Sequence, residues 1–360
     1  MRTIYLTFSA IVAMTIMAAN ATAKQPTIVY PTGIFPTDVQ NVQAAIDQGG
    51  TVLLKATDSV GHPLAFNFGT PQHLLPLRAV LIQTNVSIIG ELVGSNRTTI
   101  SGGSKPFRVV GGKNSIQGIK FDGPLTVAIQ IFVSSGIGVI GNEIENVVPD
   151  PLLIGFTQSD GIDVGNGGNP ANISGNVVIS GNTVGDLTGD FSIAIQVDSV
   201  AANVTISNNT FQLGQSPTDV GFVNSSGIAC IRCHSVVAIS NNMFQGNTVS
   251  GDAVVAILAS FLVPNGDIVS SNTFLNNDIA SLAASLASIF FDTNTLNNLV
   301  RGQCVSVLDL GIGNDVSCPN SHSNVASASA AIAARNQMLQ RAMQAQSAVH
   351  ASITNLGSNP

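Results

Sequence analysis

The residues best able to do chemistry in this sequence are two aspartates, Asp163 and Asp198, once three short runs are laid one above another. The runs are Val127-Ala128-Ile129-Gln130-Ile131, Asp160-Gly161-Ile162-Asp163-Val164 and Ile193-Ala194-Ile195-Gln196-Val197. Side chains alternate along an extended strand, so with Ile129, Ile162 and Ile195 inward, Gln130, Asp163 and Gln196 face outward. Asp198, two residues beyond Gln196, faces the same way on the next strand. One strand spacing of ~4.8 Å and two residues of ~6.7 Å place the two aspartate Cα atoms about 8 Å apart. An inverting glycosidase needs this kind of pair, one carboxyl protonated and one ionised, ~6.5–9.5 Å apart with a water between them. A register shifted by one residue would turn Asp163 inward and remove the pair. The plainer alternative is that Asp163 and Asp198 are ordinary solvent-facing strand residues and that Asp160, beside Gly161, caps a turn.

Around this pair, Asp160, Gln130 and Gln196 are the expected substrate contacts, with Arg232 and His234 on the following strand. The segment from Ser159 to Pro170 is rich in Gly and Asn, and loops inserted on one side of a repeat commonly build the binding groove. Asp160 and Asp163, with carbonyls of Asn166 and Asn169, form a weak calcium set whose spacing departs from an EF-hand loop. No other cofactor fingerprint and no metal-ligand cluster is legible.

Charge narrows the chemistry further. The chain carries 13 Lys and Arg against 20 Asp and Glu, a net of −7, which argues against nucleic acid as a partner. Between residues 121 and 300 a single basic residue, Arg232, faces fourteen acidic ones. Elimination from a uronic acid requires its carboxylate to be neutralised, so a lyase here would lean on calcium. Hydrolysis by paired carboxylates needs no cation. The earlier basic group of Lys105, Arg108, Lys113 and Lys120 reads as a solvated face.

These residues meet only if the chain repeats. A short phrase recurs as Gly141-Asn142-Glu143-Ile144, Ile179-Ser180-Gly181-Asn182-Thr183-Val184, Ile206-Ser207-Asn208-Asn209-Thr210-Phe211, Ile239-Ser240-Asn241-Asn242-Met243-Phe244, Val269-Ser270-Ser271-Asn272-Thr273-Phe274 and Asp292-Thr293-Asn294-Thr295-Leu296. Aligned on the apolar residue two after the Asn, the steps are 40, 27, 33, 30 and 22, with Lys120-Phe121 adding a step of 23 before them. Short β-branched runs between Gly, Asn and Ser are strands rather than helices. Such strands bury their apolar side chains by stacking coil on coil, and the recurring Asn suits a ladder of turn residues.

The Ile-Ser-Asn-Asn-Thr-Phe phrases resemble those of the right-handed parallel β-helix proteins, the pectate-lyase-like superfamily, over roughly residues 35–310. The segment from Val39 to Leu54 is similar to that family's amino-terminal cap, a short helix, a Gly-Gly turn and a first strand. Independently, Val39, Val42, Ala45 and Ile46 share one helical face. The resemblance implies an all-β fold, a single-stranded right-handed parallel β-helix, with this cap helix at its start. It says little of activity, because the fold hosts lyases, hydrolases, epimerases, adhesins and tailspikes.

Three segments follow from composition. Residues 1–23, with Arg2, an apolar stretch from Ile4 to Ala19 and Ala21-Thr22-Ala23, have the pattern of an export signal, which implies a secreted or periplasmic protein. Residues 24–320 form the β-helix with its cap. Residues 321–360 form a tail, where Ile332, Met338, Leu339 and Met343 approximate the stripe of an amphipathic α-helix that covers the last coil or binds a partner. No later apolar run is long enough to span a membrane. Cys230, Cys233, Cys304 and Cys318 allow three pairings in an oxidising compartment.

Two functions remain open. One is a carbohydrate-active enzyme, a glycoside hydrolase with Asp163 and Asp198 or a calcium-dependent polysaccharide lyase. The other is a non-catalytic surface, adhesion or carbohydrate-binding β-helix, favoured by the absence of Trp and the polar Asn, Ser and Thr columns. Both take a polysaccharide or cell-surface glycan as partner.

Overall fold

The computed structural model describes residues 25–70, 79–148, 158–165, 172–188, 191–198 and 204–213, and shorter stretches between 225 and 317. The export-signal segment and the tail helix expected above lie outside the described residues.

The described chain opens as its pattern requires. Helix Thr37–Asp47 buries Val39, Val42, Ala45 and Ile46 on one side. Asp38 in its first turn is fully buried and works as a staple. Its Oδ1 accepts the Thr32 backbone N–H at 2.7 Å and the Thr32 hydroxyl at 2.8 Å, and Oδ2 accepts the Asn67 N–H at 2.8 Å. Gly49 and Gly50, at φ 64° and 82°, then turn the chain into strand Gly50–Leu54. Both φ values lie where only glycine is unstrained.

From there the fold is β-dominated, with parallel sheets of eleven and seventeen strands and a third of three. The one antiparallel pairing between described strands joins Leu92–Val93 to Asn96–Arg97. Successive coils place like residues in register, as in the column Val52, Ile88, Ile116, Val139, Ile179 and Ile206. All six are fully buried. A buried side chain of this size contributes roughly 1.5–3 kcal/mol, which a lone strand could not collect. The arrangement is compatible with a parallel β-helix or solenoid.

The turn asparagines form the expected ladder. Asn142, Asn182, Asn209, Asn247 and Asn277 stack in order, each Nδ2 donating to the next Oδ1 at 2.8–3.0 Å. The same Oδ1 also accepts the backbone N–H of the preceding Asn. Each rung is preceded by a left-handed residue, namely Gly141, Gly181, Asn208, Gly246 and Asn276.

The register departs from the phrase alignment at two places. Phe244 stacks on Ile206 rather than on Phe211, which pairs instead with Val249. The ladder partner of Asn209 is accordingly Asn247, a step of 38 in place of 33. Near the end Asn298 stacks on Asn272, a step of 26 in place of 22, and Phe274 pairs with Val300 rather than with Leu296. The cause is a second match within each coil. Gly246-Asn247-Thr248-Val249 satisfies the turn chemistry as well as the residues five positions earlier, and the displaced Ile239–Ser240 joins the three-stranded sheet.

Candidate functional site

Strands Val127–Ser134, Gln158–Val164, Phe191–Asp198 and Cys230–Arg232 carry the predicted site and lie parallel on consecutive coils. The register pairs Ile129 with Ile162 and Ile195, and Gln130 with Asp163 and Gln196. Asp198 pairs with Arg232 on the next coil. The backbone therefore places Asp163 and Asp198 on adjacent coils two residues apart, the offset used above. For Asp198 and Arg232 only the backbone belongs to the described structure, and His234 lies outside it, as do Asn166, Asn169, Cys233, Cys304 and Cys318.

Solvent access differs from the sequence expectation. The alternation with core isoleucines does turn Gln130, Asp163 and Gln196 away from the core, yet their exposures are only 4, 6 and 3%. Asp160 is likewise buried. Alternation fixes which face a side chain takes, but what covers that face is set by other parts of the chain. Within the row the Gln130 Nε2 amide donates to Asp163 Oδ2 at 2.9 Å. On the coil before, Arg108 pairs with Gln130 and lays its guanidinium 5.0 Å from the centre of the Phe132 ring. Burial pulls its pKa down from the ordinary value. Two buried polar atoms of the row, Arg108 Nε and Gln130 Oε1, have no hydrogen-bond partner among the described residues.

The strand is pinched at Gly161. Ala128 and Ile129 both belong to the core, as do Ala194 and Ile195, and Gly161 lies between Ala128 and Ala194 in the register. A Cβ there would lie 2.6 Å from the Ala194 carbonyl oxygen and 2.7 Å from Val184 Cγ1. Glycine is needed for this close approach, and the approach fixes the strand that carries Asp163.

A second feature was not foreseen from the sequence. The 92–97 hairpin stands out beside the stack, turned through Gly94 at φ 61° and Ser95. Glycine at the first of two turn residues is the type II′ pattern, which matches the twist of the flanking strands. Thr98, fully buried, ties the hairpin base by donating its hydroxyl to the Leu54 carbonyl at 2.6 Å and accepting the Glu91 N–H at 2.8 Å. The Glu91 carboxylate pairs with Lys55 and accepts the Ala56 N–H. Between hairpin and stack lies a cleft of about 560 Å³ whose lining includes Leu64, Leu92, Thr99, Lys120 and Glu143. The readable signal was Leu92-Val93-Gly94-Ser95-Asn96-Arg97, a Gly-Ser turn between two short runs.

The cleft floor is charged but internally matched. Lys120 Nζ lies 2.8 Å from Glu143, 2.7 Å from Glu145 and 3.8 Å from Asp122. Arg97 lies 3.2 Å from Glu143. Burial works to lower the Lys120 pKa, but its hydrogen bonds to Glu143 and Glu145 outweigh that and hold it above the usual lysine range. The Lys120 ammonium holds the Glu143 carboxyl below its ordinary value.

From this floor one column of side chains runs along the stack. Thr99, Lys120 and Glu143 are followed in register by Thr183, Thr210 and Thr248, and none of the six is buried. Five steps of ~4.8 Å make a track of about 24 Å. Among the described residues no cluster of His, Cys, Asp and Glu is arranged to hold a metal ion, and no helix is long and apolar enough to cross a membrane. The chain matches no protein-family model, no curated protein and no solved structure.

Proposed function

We propose that this chain is an exported, single right-handed parallel β-helix of the pectate-lyase-like kind that holds an extended polysaccharide on its outer face without cleaving it. The observation that carries this reading is the solvent-reached column that continues from the hairpin cleft through exposed Thr183 and half-buried Thr210 and Thr248, one hydroxyl per coil. Hydroxyls both donate and accept, so they meet sugar hydroxyls in either sense. The coil spacing is close to the length of one pyranose unit in an extended glycan, so successive sugars would meet equivalent side chains. Asp163, which cleavage would require, is buried and bonded to Gln130.

A second reading, hydrolysis by Asp163 and Asp198, draws on the register that sets them on adjacent coils. One experiment separates the two. The purified protein is passed over a panel of immobilised glycans, and the soluble forms are assayed for new reducing ends. The binding reading expects retention without new ends, and Asp163→Asn retained as strongly as the parent. New reducing ends that disappear in Asp163→Asn would establish the hydrolase. A result with neither retention by any glycan nor new reducing ends would remove both.

A further inference from the structure

We infer that the cleft under the 92–97 hairpin is a subsite for one unit of a neutral pyranose glycan, at the end of the threonine track; this rests on the polysaccharide-binding reading above. Three observations converge on it. The first is shape, a cleft of about 560 Å³ open to solvent.

The second is the pairing of an apolar lip with a polar floor. Leu92 is 62% exposed and Leu64 37%. Covering such apolar surface with the apolar face of a ligand is favourable, because it removes that surface from water. Facing them are Thr99, Lys120 and Glu143, which offer hydroxyl, ammonium and carboxylate. A pyranose has the same two-sided character, with axial C–H bonds on a face and hydroxyls around the rim. Leu64 and Leu92 would take the C–H face, a task often given to aromatic rings, and the floor would take the hydroxyls.

The third is charge, which selects among sugars. The two cations of the floor, Arg97 and Lys120, are already paired with Glu143, and Lys120 also with Glu145 and Asp122. The lining itself carries Arg97, Lys120 and Glu143, and Glu145 and Asp122 beside it bring the carboxylates to three against two cations, so neither cation is free to neutralise a uronate. The glycan class that fits is therefore uncharged.

The test uses soluble hexamers of β-1,4-linked glucose, mannose and N-acetylglucosamine, and an α-1,4-linked galacturonate hexamer, titrated calorimetrically into the full-length protein. Leu64→Asp, Leu92→Asp and the double variant add charge to exposed positions, so folding is checked by thermal melting alongside. The expected result is that at least one neutral hexamer binds, more tightly than the galacturonate hexamer. The double variant should weaken it by about ten-fold, or about 1.4 kcal/mol, at an unchanged melting midpoint. Unchanged affinity in the double variant would overturn the subsite while leaving the binding reading standing. Tighter binding of the galacturonate hexamer would overturn the neutral assignment. If the parent binds no hexamer and no glycan of the larger panel, the binding reading and the subsite both fail.

Discussion

Replacing Asn209 by Ala should destabilise the stack more than any surface change, and the amount follows from its four side-chain hydrogen bonds. Oδ1 accepts both the backbone N–H and the Nδ2 of Asn182 at 2.9 Å. Nδ2 donates to the Ile179 carbonyl at 3.1 Å and to Asn247 Oδ1 at 2.9 Å. Asn182, Asn209 and Asn247 are 99% buried or more, so water cannot replace what is lost. Asn182 keeps its bond from Nδ2 to the Val139 carbonyl, but its backbone N–H has no partner left. Counting about 1 kcal/mol for each of the four bonds lost gives about 4 kcal/mol. Asn209→Asp should be worse, because a second oxygen would face the Ile179 carbonyl and Asn247 Oδ1. Thr210→Ala, one residue on and half-exposed, should change stability by no more than about 0.5 kcal/mol. Urea unfolding followed by circular dichroism gives the global cost, and hydrogen exchange at the Asn182 amide gives the local one. A stack may unfold in parts, so the exchange rate is the stricter readout. If Asn209→Ala unfolds with Thr210→Ala and the Asn182 amide stays protected, the ladder does not hold the coils together.

Three further outcomes follow from the same geometry. Gly161→Ala forces a methyl against the Ala194 carbonyl at 2.6 Å and should cost about 1–3 kcal/mol by overpacking, read as a lower urea midpoint. Asp38→Asn replaces an all-acceptor group with one that carries a donor facing Thr32 or Asn67, and should cost about 2 kcal/mol and speed exchange at the Asn67 amide. Glu143 has a folded pKa below its ordinary 4.5, so its contribution is complete above that value and is lost as pH falls through the folded pKa. Glu143→Gln should therefore lower stability at pH 7 by up to about 1 kcal/mol, with the difference closing in acid; a gap that persists in acid would refute the ion-pair assignment.

What could be read from the sequence was whatever depends on local chemistry repeated in register. The helix face Val39, Val42, Ala45 and Ile46 is a period any single helix shows, and the Gly49-Gly50 turn needs a backbone only glycine supplies. The pairing of Gln130 with Asp163 and Gln196 was legible because the isoleucines beside them admit one alignment that keeps the core dry. The slip at Phe244 was not, since Asn242 and Asn247 offer equivalent turn chemistry five residues apart. The backbone register pairs Phe244 with Ile206, a choice that no local pattern records. The burial of Asp163 was illegible for a related reason. Alternation names the face a side chain takes and is silent on what lies over it.

That silence bears on where function should be sought in a stack of this kind. Its regular parts are self-satisfying: Asn142 to Asn277 spend their amides on each other, and Gln130 spends one on Asp163. A carboxylate that accepts a neighbouring amide and is 6% exposed meets little water, whereas a general base must meet the water it activates. Places where local rules are broken without structural return are better candidates. The 92–97 hairpin is such a place. Among the described strands it is the one antiparallel pair, and it holds Leu92 and Val93 in water at 62 and 47% exposure. The coils beneath would close their ladders without it, since Thr99 pairs directly with Lys120 below. An element that the stack does not require, that displays apolar side chains and that walls a cleft over a track of hydroxyls is placed to meet a ligand.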